Sequence, residues 1–475
     1  MDTLPTNSPI ALLHTHPIVA TATPAGIGAI GVIRISGQGA IDIANRIFKG
    51  KNLTEQASHT VHFGKITDRN TIIDEVLATV FRAPHTYTGQ DTVEISCHGS
   101  PYILQRVMEL LLNEGAQMAK AGEFTMRAFL NGKMDLSQAE AVADLIASEN
   151  KAMHQIAMQQ MRGGFSQQLT QLREQLVNFT ALIELELDFS TEDVAFADRE
   201  QLTRLVRDIK SVLQTLLHSF ALGNAIKNGI ATVIAGRPNA GKSTLLNALL
   251  NEERAIVSHI AGTTRDTIEE VLHLNGLPFR LIDTAGIRQA TDTIEQIGVA
   301  KTLQKIERAA LLLYVFDVND LSPQEVAQDL AAWQQQQGLK IIAVGNKTDH
   351  WGMSENEANT RFKQMFPAEN FIPISAKTQS GLQQLQNALL NAANANTISA
   401  QNNQTILTNV RHYEALQHAD TALQKVLEAI DMNLSGELLS LDLRTALDYL
   451  GQITGNAITS DEVLGAIFSR FCIGK

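Results

Sequence analysis

The stretch Gly236-Arg237-Pro238-Asn239-Ala240-Gly241-Lys242-Ser243 fits the phosphate-loop pattern G-x-x-x-x-G-K-[ST]. The apolar run at 229–235 predicts a buried strand before it, and residues 244–250 predict the start of a helix after it. Backbone N–H groups in such a loop, with the positive end of the helix, form a cavity for phosphate oxygens. A plain glycine turn before a core helix does not account for the four fixed positions. We expect Lys242 to reach the β- and γ-phosphates and Ser243 to ligate Mg²⁺.

Length and composition are those of a multidomain globular protein. With 475 residues the chain exceeds one ordinary core, so we expect two to four domains. Hydrophobic residues make up 44% and charged residues 19%, as in soluble proteins. No apolar run approaches the ~18 to 20 residues of a membrane span, and the first twenty residues lack a secretory signal. We expect no membrane association.

Charge and cysteine content limit the cellular compartment and the kinds of binding partner that we expect. The net charge of −12 (38 basic minus 50 acidic residues) argues against non-specific nucleic-acid binding over a large surface. It leaves room for a local basic patch or for a partner that holds RNA. Cys97 and Cys472 cannot make a disulfide framework and suit a reducing compartment. We therefore expect a cytoplasmic protein.

The phosphate loop lies inside a longer helical sequence. Residues 1–130 predict an α/β domain, and residues 131–225 a helical domain that opens with a capping box, Ser137-x-x-Glu140. The elements expected before the loop are strands over 29–35, 75–81 and 92–97 and helices over 39–48, 103–113, 167–187 and 199–222.

Helical periodicity returns after the loop's own domain. Residues 226–387 hold the nucleotide motifs, and a polar linker covers 392–405. The segment 388–475 predicts helices over 410–432 and 438–450, then a further capping box at Thr459-x-x-Glu462. The economical fold class is a multidomain α/β plus all-α protein: an α/β amino-terminal domain, then a helical domain interrupted by an inserted Ras-like P-loop domain.

Further motifs in the inserted domain select guanine. Asp283-Thr284-Ala285-Gly286 follows an apolar strand and would bring a carboxylate near Mg²⁺. Asn346-Lys347-Thr348-Asp349 places Asp349 to accept two hydrogen bonds from guanine, which adenine cannot offer. Ser375-Ala376-Lys377 completes the base pocket, and Thr264 could join the Mg²⁺ shell. Asn275-Gly276 between two apolar runs predicts a hairpin, so one sheet edge should be antiparallel.

Motifs in this order over ~140 residues predict GTP binding. The residues expected to contact GTP are Asn239, Ala240, Gly241, Lys242, Ser243, Thr244, Ser258, Thr263, Thr264, Asp283, Thr284, Ala285, Gly286, Asn346, Lys347, Asp349, Ser375, Ala376 and Lys377.

Hydrolysis needs a group to orient water. Ras-like proteins use a glutamine directly after D-x-x-G, but this chain has Ile287 there. Asn239 beside the phosphates and Glu295 in the switch segment are the candidates, and Lys242 would stabilise charge. From spacing alone, a solvated helix charge is the favoured interpretation of Glu295.

The whole chain resembles the MnmE or TrmE family of tRNA-modification GTPases. The most specific matches are the segment from Gly122 to Leu136 (GEFTMRAFLNGKMDL) and the ending Phe471-Cys472-Ile473-Gly474-Lys475. The resemblance implies a homodimer whose GTPase domains meet, with K⁺ in the position of an arginine finger. Its K⁺ ligands here would be Asn239, Ser258, Ile260 and Thr263, and Glu295 would orient water.

The same resemblance implies folate chemistry in the amino-terminal domain. A tetrahydrofolate derivative, 5,10-methylene or 5-formyl, would contact Arg34, Glu94, Lys133 and Lys475. Carboxylates suit the pterin ring and basic groups suit the folate glutamate. Without the family, Arg34 and Glu94 would be a strand-edge ion pair. Cys472 is a candidate reactive residue that could instead be a buried thiol.

The family also sets the expected reaction. With an FAD-dependent partner of the MnmG/GidA type, in a heterotetramer or larger complex, the protein would add an aminomethyl-type group, aminomethyl or carboxymethylaminomethyl, to C5 of the wobble uridine U34 of certain tRNAs. The alternative is a regulatory or ribosome-assembly GTPase switch whose folate-like domain is only a scaffold. Ala25, Ile27, Gln90 and Ser100 depart from the family's usual residues, and they bear on the amino-terminal dimer or the folate entrance more than on GTP chemistry.

Overall fold

The computed structural model describes most of the chain: residues 16–69, 71–188, 198–251, 269–283, 309–331, 333–334, 339–350, 362, 371–393, 406–455, 467–469, 471–472 and 474. It divides into two compact units. Unit 1 comprises residues 1–148, 154–217 and 410–475, and unit 2 comprises residues 149–153 and 218–409. Each is described by itself. The four-part domain boundaries expected from the sequence remain a prediction.

Unit 1 begins with a seven-stranded sheet. Its strands are β1 (Ile18–Thr21), β2 (Ile30–Ser36), β3 (Phe48–Lys49), β4 (Thr60–Asp68), β5 (Thr71–Phe81), β6 (Thr92–His98) and β7 (Gln117–Met118). Its helices are α1 (Ala40–Ile47), α2 (Pro101–Asn113) and α3 (Glu123–Leu130). The strand order is β3-β4-β5-β6-β2-β1-β7, antiparallel except for the parallel pair β1 and β7.

The two faces of this sheet differ. Residues alternate along each strand, and the buried set packs on α1 and α2 in one core, which includes Ile33, Val93 and Ile95. The other face leaves Phe63 64% exposed and Leu77 45% exposed, and these two residues are cross-strand partners. The sheet is therefore covered by helices on one side and carries exposed apolar groups on the other.

Four helices follow: α4 (Leu136–Ile146), α5 (Lys151–Met161), α6 (Ser166–Asp188) and α7 (Arg199–Asn228). The capping box predicted at Ser137 and Glu140 is wrong by two residues. Asp135 is the N-cap: its carboxylate accepts from the Gln138 N–H at 2.8 Å, and the Gln138 side chain accepts from the Asp135 N–H at 2.9 Å. A carboxylate at Asp135 gives the same reciprocal geometry as a serine, so the helix begins there.

Unit 2 holds a six-stranded sheet. Its strands are β8 (Ile230–Ala235), β9 (Glu269–Leu274), β10 (Leu277–Asp283), β11 (Leu311–Asp317), β12 (Lys340–Asn346) and β13 (Phe371–Pro373), and its helices are α8 (Lys242–Asn251), α9 (Pro323–Leu330) and α10 (Leu382–Ala392). The order β13-β12-β11-β8-β10-β9 is parallel except at the β9 edge. Asn275 (φ 49°) and Gly276 (φ 82°) confirm the predicted hairpin, because both turn residues take positive φ.

The last two helices, α11 (Val410–Asp431) and α12 (Gly436–Thr454), return to unit 1. They pack on each other, and α12 packs on α6. Lys210 on α7 pairs with Asp420 on α11 at 2.7 Å. Helices before and after the inserted domain therefore form one helical body, as expected. The capping box proposed at Thr459 lies outside the described residues.

A charged cluster connects α4 to α11. Glu140, 12% exposed, accepts from Arg411 Nη2 at 2.9 Å and lies 2.7 Å from His412 Nε2. Burial by itself would raise the pKa of Glu140, but His412 and Arg411 lower it to about 2. Because the folded pKa lies below the ordinary value, the stabilisation is present above pH ~4.5 and is lost as pH falls toward 2.

We expect Glu140→Gln to weaken the helical body by about 3 kcal/mol at neutral pH, because a pKa shift of one unit corresponds to about 1.4 kcal/mol. Hydrogen exchange of the α4 and α11 amides measures the local opening. Glu184→Gln, which removes the partner of the more exposed Arg444, is the matched control with a smaller expected effect. Equal protection of wild type and Glu140→Gln at pH 7 would contradict the role of the cluster.

Candidate functional site

The phosphate loop joins β8 to α8, as the motif requires. Gly236 (φ 149°) lies so close to β11 that a Cβ there would be 1.9 Å from the Val315 carbonyl oxygen. A Cβ on Gly241 (φ 93°) would be 2.2 Å from Asn346 Nδ2. Both positions therefore require glycine, for space and for backbone conformation.

The reactive groups of the loop lie at the amino end of α8. Lys242 begins the helix, and its ammonium donates to the carbonyl oxygens of Gly236 and Arg237, each at 2.9 Å. Ser243 and Thr244 are exposed in the first turn, and Asn239 is exposed with φ of 62°. A helix amino terminus with an ammonium and hydroxyls is suited to phosphate and Mg²⁺.

Asn346 joins the phosphate loop to the base pocket. Its buried amide donates to the Ala240 carbonyl oxygen at 2.8 Å and accepts from the Ala376 N–H at 3.0 Å. Asp349 accepts from Ser375 Oγ at 2.8 Å, and this hydrogen bond lowers the pKa of Asp349. The other oxygen, Oδ2, lies 3.3 Å from His350 Nε2. An ionised carboxylate is the acceptor that guanine needs.

The ion pair that holds Lys347 was not predicted from the sequence. The Lys347 ammonium pairs with Asp317 Oδ2 at 2.7 Å, and Asp317 also accepts from the Asn319 N–H at 2.9 Å. Burial would raise the pKa of Asp317, but the bonds from Lys347 and Asn319 bring it below its ordinary value. The available signal was position: Asp317 is the last residue of β11, and parallel strands end at the same edge as the nucleotide motifs.

Several predicted groups lie outside the described residues: Ser258, Ile260, Thr263, Thr264, Thr284, Ala285, Gly286, Ile287, Glu295 and Lys475. Asp283 is described only as the last residue of β10, where its backbone is in register with Ile234 of β8. Their roles stay predictions.

A second candidate site lies on the open face of the first sheet. Arg34 on β2 and Glu94 on β6 are direct cross-strand partners, with Nη2 and Oε1 2.7 Å apart. The ion pair named as the alternative is therefore present, between two neighbouring strands in the interior of the sheet. Contact of these two residues with a ligand stays a prediction. The Arg34 guanidinium carbon lies 5.7 Å from each ring centroid of Tyr87 and Phe124. Neither ring was assigned from the sequence, although both fall in motifs that mark this domain.

The carboxyl-terminal segment reaches this site. The Gly474 carbonyl oxygen accepts from Arg34 Nη1 at 3.4 Å, and the Cys472 carbonyl oxygen accepts from the Gly122 N–H at 3.3 Å. A Cβ on Gly474 would be 2.3 Å from the Thr21 carbonyl oxygen. Cys472 is a free, exposed cysteine, which excludes its alternative as a buried thiol. Glycine and two backbone hydrogen bonds thus dock the end of the chain on the amino-terminal sheet.

Lys133 and Gln90 belong to the surroundings of this site. Lys133 Nζ donates to the Pro84 carbonyl oxygen at 2.8 Å, and no contact of Lys133 with Arg34 or Glu94 is found among the described residues. Gln90, a departure from the family, accepts from Arg127 at 3.3 Å. Arg127 is 1% exposed and pairs with Glu123 at 2.8 Å. Because Gln90 is neutral, Glu123 is the carboxylate that balances the charge of Arg127 in the described contacts.

The described residues hold neither a cluster of metal-binding side chains nor a membrane-spanning helix. No three His, Cys, Asp or Glu side chains in the described ranges converge as metal ligands would. No helix in the same part of the chain is long and apolar enough to cross a bilayer.

Comparison with known proteins covers nearly the whole chain. The family described as GTP-binding protein TrmE N-terminus matches residues 17–133, and the family described as MnmE helical domain matches residues 136–472. The chain is similar to the tRNA modification GTPase MnmE of Cytophaga hutchinsonii, with 53% identity over 97% of this chain and 98% of the relative. The MnmE proteins of Flavobacterium psychrophilum (53%) and Bacteroides thetaiotaomicron (52%) each align over 98% of this chain and 100% of their own length. This chain therefore belongs to the MnmE family of tRNA modification GTPases.

Proposed function

We propose that this GTPase acts with an FAD-dependent MnmG/GidA-type partner to install an aminomethyl or carboxymethylaminomethyl group on C5 of U34 in certain tRNAs. The observation that carries the proposal is the docking of Gly474 beside the ion pair of Arg34 and Glu94. An ion pair, the backbone of the carboxyl-terminal segment and the ring of Tyr87 meet on one sheet face. That set suits a small charged ligand with an aromatic ring system better than it suits a purely structural interface.

The proposed ligand at this face is a tetrahydrofolate derivative, 5,10-methylene or 5-formyl. Glu94 would pair with the N–H groups of the pterin, and Arg34, with Lys133 and Lys475, would meet the carboxylates. Tyr87, which is half-buried, offers a ring face next to Arg34, and the fully buried Phe124 ring packs against the Arg34 guanidinium. Folate would supply the one-carbon unit, while this chain's residues bind and orient it.

For GTP we propose the loop, base-pocket and switch residues named from the sequence. Ser243 and Thr264 would hold Mg²⁺. Asn239, with the backbone of Ser258, Ile260 and Thr263, would hold K⁺, which supplies positive charge beside the phosphates. Asn239 is exposed, and its positive φ marks a sharp turn of the backbone within the loop. Both features support its assignment as a K⁺ ligand. Glu295 would orient water, and hydrolysis would drive a conformational cycle.

We further propose a homodimer that uses the open face of the first sheet. Ile30, Val61, Phe63 and Leu77 are 66%, 57%, 64% and 45% exposed, and all four lie on the face opposite α1 and α2. Apolar groups clustered on one exposed sheet face are typical of a protein interface.

The alternative is a regulatory or ribosome-assembly switch in which the folate-like domain is a scaffold. One observation favours it: Arg34 and Glu94 already satisfy each other. The two functions differ in whether Arg34 is needed for modified tRNA.

Arg34→Gln should abolish binding of 5-formyltetrahydrofolate, because the cation that would bind the folate carboxylates is lost. The variant should also fail to restore modified wobble uridine in a strain lacking the gene. Calorimetry and mass spectrometry of tRNA nucleosides measure the two effects. Arg46→Gln, which breaks the exposed pair with Glu114 in the same domain, is the matched control. Normal nucleosides in the deletion strain, with defective ribosome assembly, would favour the scaffold alternative.

GTP hydrolysis should be at least about tenfold faster in KCl than in NaCl of equal ionic strength, because K⁺ replaces the charge of an arginine finger. Activity per molecule should rise with protein concentration as dimers form. Asn239→Gly tolerates the positive φ and removes only the side chain, so its rates should be slow and equal in both salts. Equal rates for the wild-type protein in the two salts would remove the K⁺ assignment.

Asp349→Asn should lower kcat/KM for GTP by roughly 10- to 100-fold and raise that for xanthosine triphosphate, because the amide donates where the carboxylate accepts. Competition between the two nucleotides measures the change. Glu270→Gln, an exposed carboxylate on β9, controls for the loss of one negative charge. An unchanged preference for GTP would mean that the base pocket is misassigned.

A further inference from the structure

The second residue of the phosphate loop is held from outside the loop. Arg237 Nε donates to Asp329 Oδ2 at 2.8 Å, and Arg237 Nη2 donates to Asp329 Oδ1 at 3.0 Å. Asp329 lies on α9, 92 residues away in sequence. The pattern G-x-x-x-x-G-K-[ST] leaves this second position open. The arginine therefore has a function that the motif does not explain.

Asp329 is itself fixed. The Tyr314 hydroxyl donates to Asp329 Oδ2, and Tyr314 is 2% exposed on β11, with its ring packed on Trp333 at 6.1 Å between centroids. Burial and the neighbouring carboxylate raise the pKa of Tyr314, so its hydroxyl remains a donor. Burial would raise the pKa of Asp329, but Arg237 and Tyr314 bring it below the ordinary value. The carboxylate is charged and anchored to the core.

The backbone of Arg237 touches the reactive lysine. Its carbonyl oxygen and that of Gly236 both accept from the Lys242 ammonium. Gly236 is fixed by its approach to Val315, and Pro238 has a restricted φ. The side chain of Arg237 is a further group through which the rest of the domain holds this half of the loop. Isolated surface ion pairs contribute little, but a two-point arginine–carboxylate contact has a defined geometry.

We propose that Arg237 and Asp329 are positioning residues for GTP hydrolysis: their ion pair holds the first half of the phosphate loop in the conformation that receives nucleotide. Arg237 does not contact the phosphates in this role; it sets where the carbonyls beside Lys242 lie. The inference rests on the assignment of residues 236–243 as the nucleotide site, and the test separates the two.

Asp329→Asn is the first variant, because it keeps the shape and an acceptor for Tyr314 but removes the charge that holds Arg237. We expect the dissociation rate of N-methylanthraniloyl-GDP and the KM for GTP each to rise by about tenfold, with kcat changed less than twofold. Asp329→Glu restores the carboxylate and should recover most of the loss. Arg237→Gln should resemble Asp329→Asn, and the double variant should be no worse than either single variant.

Glu325→Gln is the matched control on the same helix. Glu325 is 3.8 Å from Arg237 Nη1 and caps α9 through Ser322, a capping role that glutamine also fills. Dissociation should be unchanged. If Asp329→Asn and Arg237→Gln both match wild type, or if Glu325→Gln has the same effect as they do, the positioning role is overturned. Normal nucleotide binding by Lys242→Ala would instead overturn the assignment of the nucleotide site.

Discussion

Close backbone packing around the phosphate loop is the constraint on which the nucleotide site depends. The loop has room for no Cβ at Gly236 or Gly241, because the Val315 carbonyl and the Asn346 amide occupy that space. The same Asn346 amide then bonds Ala240 on one side and Ala376 on the other. The Asn346 side chain therefore links the phosphate loop directly to the base pocket through hydrogen bonds.

The amino-terminal sheet depends on a different contact, the one that the carboxyl-terminal segment makes with β1 and β2. Phe468 and Phe471 pack with Leu136 in a small core, and Gly474 then lies against Thr21. This core brings the backbone of Gly474 to the ion pair of Arg34 and Glu94. Loss of the last few residues would expose the phenylalanine cluster and strip Arg34 of one acceptor, so stability and the candidate folate site are coupled in this region.

In both units a buried charged side chain pairs with a side chain of opposite charge. Arg127 is nearly inaccessible and pairs with Glu123 one helical turn away, with Gln90 as a neutral acceptor. A departure from the family at residue 90 is thereby compatible with the fold, because Glu123 already supplies the compensating charge. Asp317 and Lys347 make an analogous pair beside the guanine motif, where it holds a motif residue in a positive-φ conformation.

The sequence by itself determined the features whose causes are local. Asn275-Gly276 has the φ preferences of a hairpin turn, and the glycines of the phosphate loop require their conformations. Apolar periodicity predicted the strands β8 and β12 closely. It did not predict β1, β3, β4, β7 or α3 in the first unit. Family resemblance supplied the rest of the identity. Tertiary structure alone decided which charged groups meet: Arg34 with Glu94 across 60 residues, Arg237 with Asp329 across 92, and Arg34 with Gly474 across 440. Even the first cap of α4 was settled by a choice between Asp135 and Ser137, two good cap residues. Such pairings follow from strand order and helix packing, which periodicity does not encode.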